Sequence, residues 1–485
     1  MTKNFLYTVL LSLVNLLFPL LSFPYASRML GPEGIGSVQM ALSLGQYFAL
    51  FAALGIPIYG ITEIARHRDN PDQLSRSFSE LSLIFAGASL LLTIVYLGVV
   101  SYIPFFQQHY NLFLLSGTLV LLSFSYTDWF FSGLESYKNI ALRSVVIKII
   151  SLILLVIFVQ SKTDRALYLL VILFSILGNQ LMSLFLCFRQ TTFTLKGLQL
   201  RRHFQPLFYL FSTTLAASIY TMLDTVLLGF FSDDASVGLY AAAVKLVKLT
   251  IPVVTAMGVI LIPLITREFH QQNFSAIRNL LDQSFRFLMF FSIPVCAGLA
   301  LLAPELILLF SGKQFVEAIP VMRLLATLPL LIGLGHYYCF QILLPAGKTR
   351  QIFLSVLMGA ITCLFLNWLL VPSLKSVGAS IANIATEAVV TLCYAFFMKQ
   401  FYSPASRWKY GLHAIAGSLL FIPIILLIRF LHLPLLVFIL VATISCSLVF
   451  FSVQWWVFKN YFLLDFVQPL KERLLRKKNL VPDEY

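Results

Sequence analysis

Ionisable side chains stand in or at the edges of long apolar runs, among them Arg28, Asp128, Arg143, Lys148, Asp224, Lys245, Lys248 and Glu387. A charge inside a bilayer costs at least a few kcal/mol, so each is a functional candidate. The acids, Asp128, Asp224 and Glu387, can exchange a proton or hold a metal ion. The bases can hold an anion. Lys245 and Lys248 are one helical turn apart and share a face. With Lys148 they lie roughly 9–14 Å inside their runs at 1.5 Å per residue, near the limit of a side chain's reach to the interface. Asp224 stands beside Thr214, Ser218, Thr221 and Thr225, a polar stripe along one helix face. Glu387 follows Asn383 by one turn. Arg28, Arg143, Arg286 and Arg323 are close enough to run ends to snorkel to the interface. Asp224 and Glu387 could instead serve as partners of the lysines, since buried charges are usually paired. A paired network in a helical bundle must face an interior, and an interior richer in cations than anions points to an anionic solute.

The elements that must position these groups are transmembrane helices. The chain of 485 residues is 59% hydrophobic with mean hydropathy +0.89, and only 11% is charged, against about 25% in a soluble protein. About 20 apolar residues cross the hydrocarbon. That length predicts an all-α integral membrane protein with about fourteen spans: 5–27, 38–61, 81–103, 111–132, 140–160, 166–188, 207–231, 239–265, 285–303, 319–344, 352–371, 377–398, 411–430 and 434–457. The first run is too long for a cleaved leader, and Pro24-Tyr25-Ala26 is a poor cleavage site. With the N-terminus inside, 22 Lys and Arg fall on the cytoplasmic side. Six fall outside: Arg28, Lys162, Arg165, Lys313, Lys375 and Arg429. One missed span would destroy that asymmetry, so both termini are expected in the cytoplasm.

The net charge of +14 therefore serves insertion. Spread over many short loops, it forms no nucleic-acid stripe. The tail is the exception: Phe462, Leu463, Phe466, Leu470 and Leu474 alternate at helical spacing with Lys471, Arg473 and Lys477, which predicts an amphipathic helix on the anionic inner leaflet. The six cysteines lie in apolar runs without a CxxC pair, and the seven histidines, His336 among them, show no metal-ligand spacing. No cofactor or catalytic constellation is expected. Without a phosphate-binding loop or room for an ATPase, transport energy must come from an ion gradient, the membrane potential or the substrate gradient. Prolines in the spans (Pro19, Pro24, Pro57, Pro252, Pro263, Pro294, Pro329) kink helices, as a cavity that opens to alternate sides requires.

Four motifs in order carry a family resemblance. Arg28-Met-Leu-Gly31-Pro32-Glu-Gly34-Ile-Gly36 resembles the signature after the first span of Wzx-type polysaccharide flippases. Asp128-Trp129-Phe-Phe-x-Gly133-Leu-Glu135 is similar to their fourth-span motif. Asp224-x-x-x-Leu228-Gly229 with Val237-Gly238-x-Tyr240 and Lys245 looks like the start of their second lobe. Asn367-x-x-Leu370-Val-Pro372, then Gly378-Ala379 and Glu387, resembles their eleventh- and twelfth-span pattern. Leu374-Lys375 replaces a glycine usual there, so that turn must be built differently. A loose internal echo, Phe131-x-Gly133-Leu-Glu-x-x-Lys138 against Gln341-x-x-Leu-Pro-x-x-Lys348, accords with a duplicated architecture.

The resemblance implies two pseudo-symmetric six-helix lobes of the MATE-like kind, 1–202 and 203–402, followed by two C-terminal helices and the basic tail, 403–485. It implies alternating-access flipping of an undecaprenyl-pyrophosphate-linked oligosaccharide across a bacterial cytoplasmic membrane. Arg28, Arg143, Lys148, Lys245 and Lys248 would hold the anionic head group. Asp128, Asp224 and Glu387 would couple transport to H+ or Na+. Implied partners are membrane lipid, a polysaccharide polymerase and chain-length machinery. The same superfamily includes multidrug antiporters and lipid II flippases, which are the alternative readings. A membrane-embedded polymerase would need a large outer loop bearing paired carboxylates or several arginines, which the short outer connections do not provide.

Overall fold

The computed structural model describes residues 2–399 and 408–458, with side chains there except those of 2–6, 8, 9, 209 and 212–222. The proposed tail helix lies outside the described residues, and so do the side chains of Thr214, Ser218 and Thr221. The described residues are helical with no strand. In order the helices are α1 (Thr2–Ala53), α2 (Ile56–His67), α3 (Pro71–Tyr102), α4 (Tyr110–Leu121), α5 (Asp128–Gly133), α6 (Tyr137–Phe158), α7 (Arg165–Gln190), α8 (Arg201–Phe231) and α9 (Asp234–Lys248). There follow α10 (Ile251–His270), α11 (Phe274–Leu301), α12 (Ala303–Phe310), α13 (Ala318–Leu325), α14 (Leu328–Tyr338), α15 (Thr349–Met398), α16 (Trp408–Leu419), α17 (Phe421–Arg429) and α18 (Leu435–Ser452). Lipid supplies no hydrogen-bond partner to a backbone, so helices that satisfy their own are the form these runs must take.

Among the described residues ten helical stretches are long and apolar enough to cross a membrane, or eleven if the bent pair 104–121 and 123–133 counts as one span. Two of the ten, Leu10–His67 and Thr349–Met398, each contain two of the fourteen expected runs. Each is two helices joined at an abrupt, non-helical turn. In α1 it falls at Gly31, whose φ of 69° suits glycine, and in α15 at Lys375, with φ 49°. Lys375 thus adopts, at a cost in backbone strain, the positive φ that a glycine would take freely.

The chain forms two compact units. The first comprises Met1–Lys245, Ile307–Val321 and Val356–Thr386. The second comprises Leu246–Leu306, Met322–Ser355 and Glu387–Tyr485. The boundaries fall inside α9, α12, α13 and α15. Both units expose large apolar side chains in helical rows, among them Leu90, Leu91 and Ile94 on α3 and Leu440, Ile444 and Leu448 on α18. Water would not tolerate rows of this size; lipid does.

In the first unit the chain after the Gly31 bend crosses the start of α9 backbone to backbone. A Cβ on Gly36 would stand 1.7 Å from the Asp234 carbonyl oxygen, and one on Gly238 2.0 Å from the Pro32 oxygen. Backbone cannot step aside as a side chain can. Gly36→Ala is therefore expected to lower the melting temperature of the purified protein by several degrees, since overpacking costs about 1–3 kcal/mol. Gly98→Ala, which meets open space, is expected to leave it unchanged or slightly raised. Equal melting of the two variants would show that the crossing is not tight.

Candidate functional site

Three of the expected anion-binding cations gather along α1. The Lys148 ammonium donates to Asn15 Oδ1 and lies 5.6 Å from the Phe18 ring. Lys245 reaches the same helix from α9, with its nitrogen 4.2 Å from the centre of the Phe23 ring. Phe23 is buried and stacks on Phe310 at 5.1 Å. Further along, Arg28 donates to the Pro24 and Leu309 carbonyl oxygens. From Asn15 through Phe23 to Arg28 is a rise of about 20 Å at 1.5 Å per residue. Lys148 and Lys245 are half-buried, whereas Arg28 is exposed. Lys248, one turn beyond Lys245, is exposed and belongs to the second unit.

Arg143 is placed differently. It is buried and forms an ion pair with Asp128, and its Nε donates to Asn179 Oδ1 at 2.7 Å. Asp128 Oδ1 also accepts from Ser183 Oγ at 3.1 Å, and Ser183 in turn accepts from Thr127. One expected anion-binding residue and one expected coupling residue are thus each other's partner. Arg143 Nη1 has no hydrogen-bond partner among the described residues.

Asp224, 3% exposed, lies in a cage from three helices. Oδ1 accepts from Asn367 Nδ2 at 3.0 Å and from the Cys363 thiol at 3.2 Å. Oδ2 accepts from the Tyr240 hydroxyl at 3.2 Å and from Asn383 Nδ2. Cys363 and Asn367 are one turn apart on α15, and Asn383 returns on the same helix after the Lys375 turn. No cation meets the carboxylate among the described residues, so the lysine pairing considered above is not what holds it. Glu387, half-buried, is one turn past Asn383 and belongs to the second unit.

A cleft of about 880 Å³ lies over the Gly36–Gly238 crossing in the first unit. Its acids are Glu33, Asp233, Asp234 and Glu317; its bases are His109, Arg165 and Lys375. Asp234 Oδ2 is 2.6 Å from His109 Nε2, Asp233 is 2.8 Å from Lys375 Nζ, and Glu33 is 3.4 Å from Arg165. Against the desolvation of partial burial, Lys375 and the Ser236 N–H hold the Asp233 carboxyl below its usual range.

A family model described as polysaccharide biosynthesis protein matches residues 1–269. The chain belongs to this family. A second model, MatE, matches residues 210–369. A protein of Escherichia coli (strain K12) named for O-antigen transport is 25% identical over 408 residues, covering 82% of this chain and 96% of the relative. Lipid II flippase MurJ of Bacillus subtilis (strain 168) is 26% identical over 156 residues, 32% of this chain and 28% of the flippase. Among solved structures, lipid II flippase MurJ in an inward closed conformation superposes with TM-score 0.72 at 14% identity, covering 93% of this chain and 99% of that one. An inward-facing multidrug resistance MATE transporter gives TM-score 0.63 at 15% identity, covering 80% and 96%. These two likenesses establish the fold, that of multi-pass membrane proteins.

Several polar residues of this family member escaped the reading of its sequence. Cys363 passed for a small hydrophobe; its signal was the one-turn spacing to Asn367. Asn179 carried no cue beyond its place in an apolar run. Glu63 and Glu80 are only 3% and 1% exposed. They meet Arg202, and the fully buried His203 lies 2.7 Å from Glu80, a cluster that no spacing announced.

The Asp128–Arg143 pair makes a clear energetic prediction. Asp128→Asn alone is expected to destabilise the purified protein by about 3–5 kcal/mol, because it strands a buried guanidinium. Adding Arg143→Gln should recover much of the loss. A double-mutant cycle on melting with no coupling would contradict the pairing.

Proposed function

We propose that this protein flips an undecaprenyl-pyrophosphate-linked oligosaccharide from the inner to the outer leaflet of the bacterial cytoplasmic membrane by alternating access. It is read as a transporter and not an enzyme. The observation that carries this reading is the row of cations along α1: Lys148, Lys245 and Arg28 spaced within a bundle whose outside is apolar. Sugars and pyrophosphate cannot shed their water into hydrocarbon unaided. A graded series of cations lets a diphosphate exchange one partner for the next while its prenyl chain stays in lipid. The relative named for O-antigen transport and those named as flippases support the same substrate class. The basic-residue asymmetry supports cytoplasmic termini, which puts Gly31 and the cleft at the outer face. The lobes 1–202 and 203–402 with the appended 403–485 remain our division of the chain by that resemblance.

Coupling is assigned to Asp224. A carboxylate without a cationic partner in a low-dielectric interior is neutralised by a proton or a metal cation. The amides of Asn367 and Asn383 would present oxygen instead of N–H after a half-turn of their terminal bonds, giving Na+ an oxygen cage. Asp128 is assigned to Arg143 and not to coupling. A drug antiporter on this scaffold would want acids and aromatics where the lysines of α1 stand.

Lys148→Gln with Lys245→Gln is expected to reduce surface polysaccharide at least about tenfold at unchanged protein level, since glutamine keeps length and hydrogen bonding but removes charge. Normal polysaccharide would remove the anion series and this reading with it. Asp224→Asn is expected to keep the fold, since an amide fits the cage. In proteoliposomes loaded with the lipid-linked oligosaccharide, it should abolish the response of transport to imposed Na+ and pH gradients. A wild-type response in that variant would place coupling elsewhere.

A further inference from the structure

Asp224 is almost fully buried, so a cation that neutralises it needs a route. The cleft stands on the three helices that build the cage. Gly229, five residues beyond Asp224 on α8, lines it; so do Ser236, four before Tyr240 on α9, and Ser376, seven before Asn383 on α15. At 1.5 Å per residue the cleft is about 6–10 Å from the cage along each helix. Four carboxylates face three bases across it, His109, Arg165 and Lys375, so acids are in excess. A concave cleft with an excess of one sign concentrates counter-ions. On the α8 side its floor is Met40, which is 2% exposed. Its sulfur sits in the notch of Gly229, where a Cβ would come within 2.4 Å of it. An unbranched thioether is the side chain that can swing clear most readily.

We propose that this cleft is the external access route for the coupling cation, with Glu33, Asp233, Asp234 and Glu317 as an electrostatic funnel and the Met40 side chain as the gate above Asp224. The inference rests on the reading of Asp224 as the coupling carboxylate and of the cleft as outward-facing. The ligand is a small monovalent cation, H+ or Na+, of the kind a single buried carboxylate with four close donors can take.

The test uses the full-length protein in oriented proteoliposomes. Transport of undecaprenyl-pyrophosphate-linked oligosaccharide is titrated against external Na+ at fixed pH, and separately against external pH with choline replacing Na+. Whichever arm drives transport in the wild type identifies the cation. In that arm Glu33→Gln with Glu317→Gln, both at exposed positions, is expected to weaken half-saturation about three- to tenfold at low ionic strength, with the maximal rate unchanged. The difference should vanish in about 0.5 M choline chloride, where the Debye length shrinks to a few ångströms. Arg165→Gln is expected to tighten half-saturation, a gain that misfolding cannot produce. Met40→Trp should slow transport at saturating cation.

Unchanged half-saturation in both charge variants overturns the funnel. So does a shift that salt does not erase, or a shift in the saccharide's half-saturation alone, which would make the cleft a saccharide site. A wild type that transports but responds to neither cation overturns the coupling reading, and the funnel falls with it. A wild type that moves no oligosaccharide overturns the proposed function itself.

Discussion

Two backbones touch where the chain after Gly31 crosses the start of α9, and that contact organises the first unit. With no side chain at Gly36 or Gly238, the strands of main chain approach until only carbonyl oxygens separate them. The crossing brings Glu33 beside the Asp233–Asp234 corner and fixes the start of α9. Tyr240 and Lys245 then follow at set heights along that helix. Asp224 is reached by Tyr240, and α1 by Lys245. A single methyl group at either glycine would therefore be felt at the carboxylate cage and at the row of cations alike.

Charge is sorted by the kind of neighbour it is given. The cations along α1 rest on an amide oxygen, aromatic faces and carbonyl oxygens, partners that stabilise positive charge without cancelling it. Their electrostatic reach stays available to an anion. Arg143 has a carboxylate instead, and its charge is spent inside the protein. Asp224 has four neutral donors, which favour negative charge without neutralising it. The first arrangement suits an anion that must arrive and leave, and the third a cation that must do the same.

The legibility of the sequence follows the range of the forces involved. Helical spans were readable because apolar run length is a local property, and rows such as Leu90, Leu91 and Ile94 face outward as a membrane protein requires. The glycines of the first and third motifs were readable as a pattern, though not as two halves of one contact. Asp224 stood out as an acid in an apolar run, but three of its four partners, Cys363, Asn367 and Asn383, come from 139 or more positions away, and spacing carries no such information. Arg143 and Asp128 were each found and given separate roles, since nothing local tells a cation that lines a path from one that closes a pair. The Lys375 turn was expected to be unusual because it lacks the family glycine; the structure keeps the glycine's backbone geometry and ties the lysine to Asp233 at 2.8 Å.

Cys363 gives the Asp224 cage a chemical signature of its own. Its sulfur is 3.2 Å from the carboxylate and wholly buried. Any conformation that wets Asp224 must wet this thiol as well, because both belong to one hydrogen-bonded cluster. Reactivity toward thiophilic reagents thus tracks hydration of the carboxylate, and the chain carries a native reporter at the place where an added label would do most harm. The same chemistry is a liability. Oxidation of that sulfur, once exposed, would set polar bulk against the carboxylate.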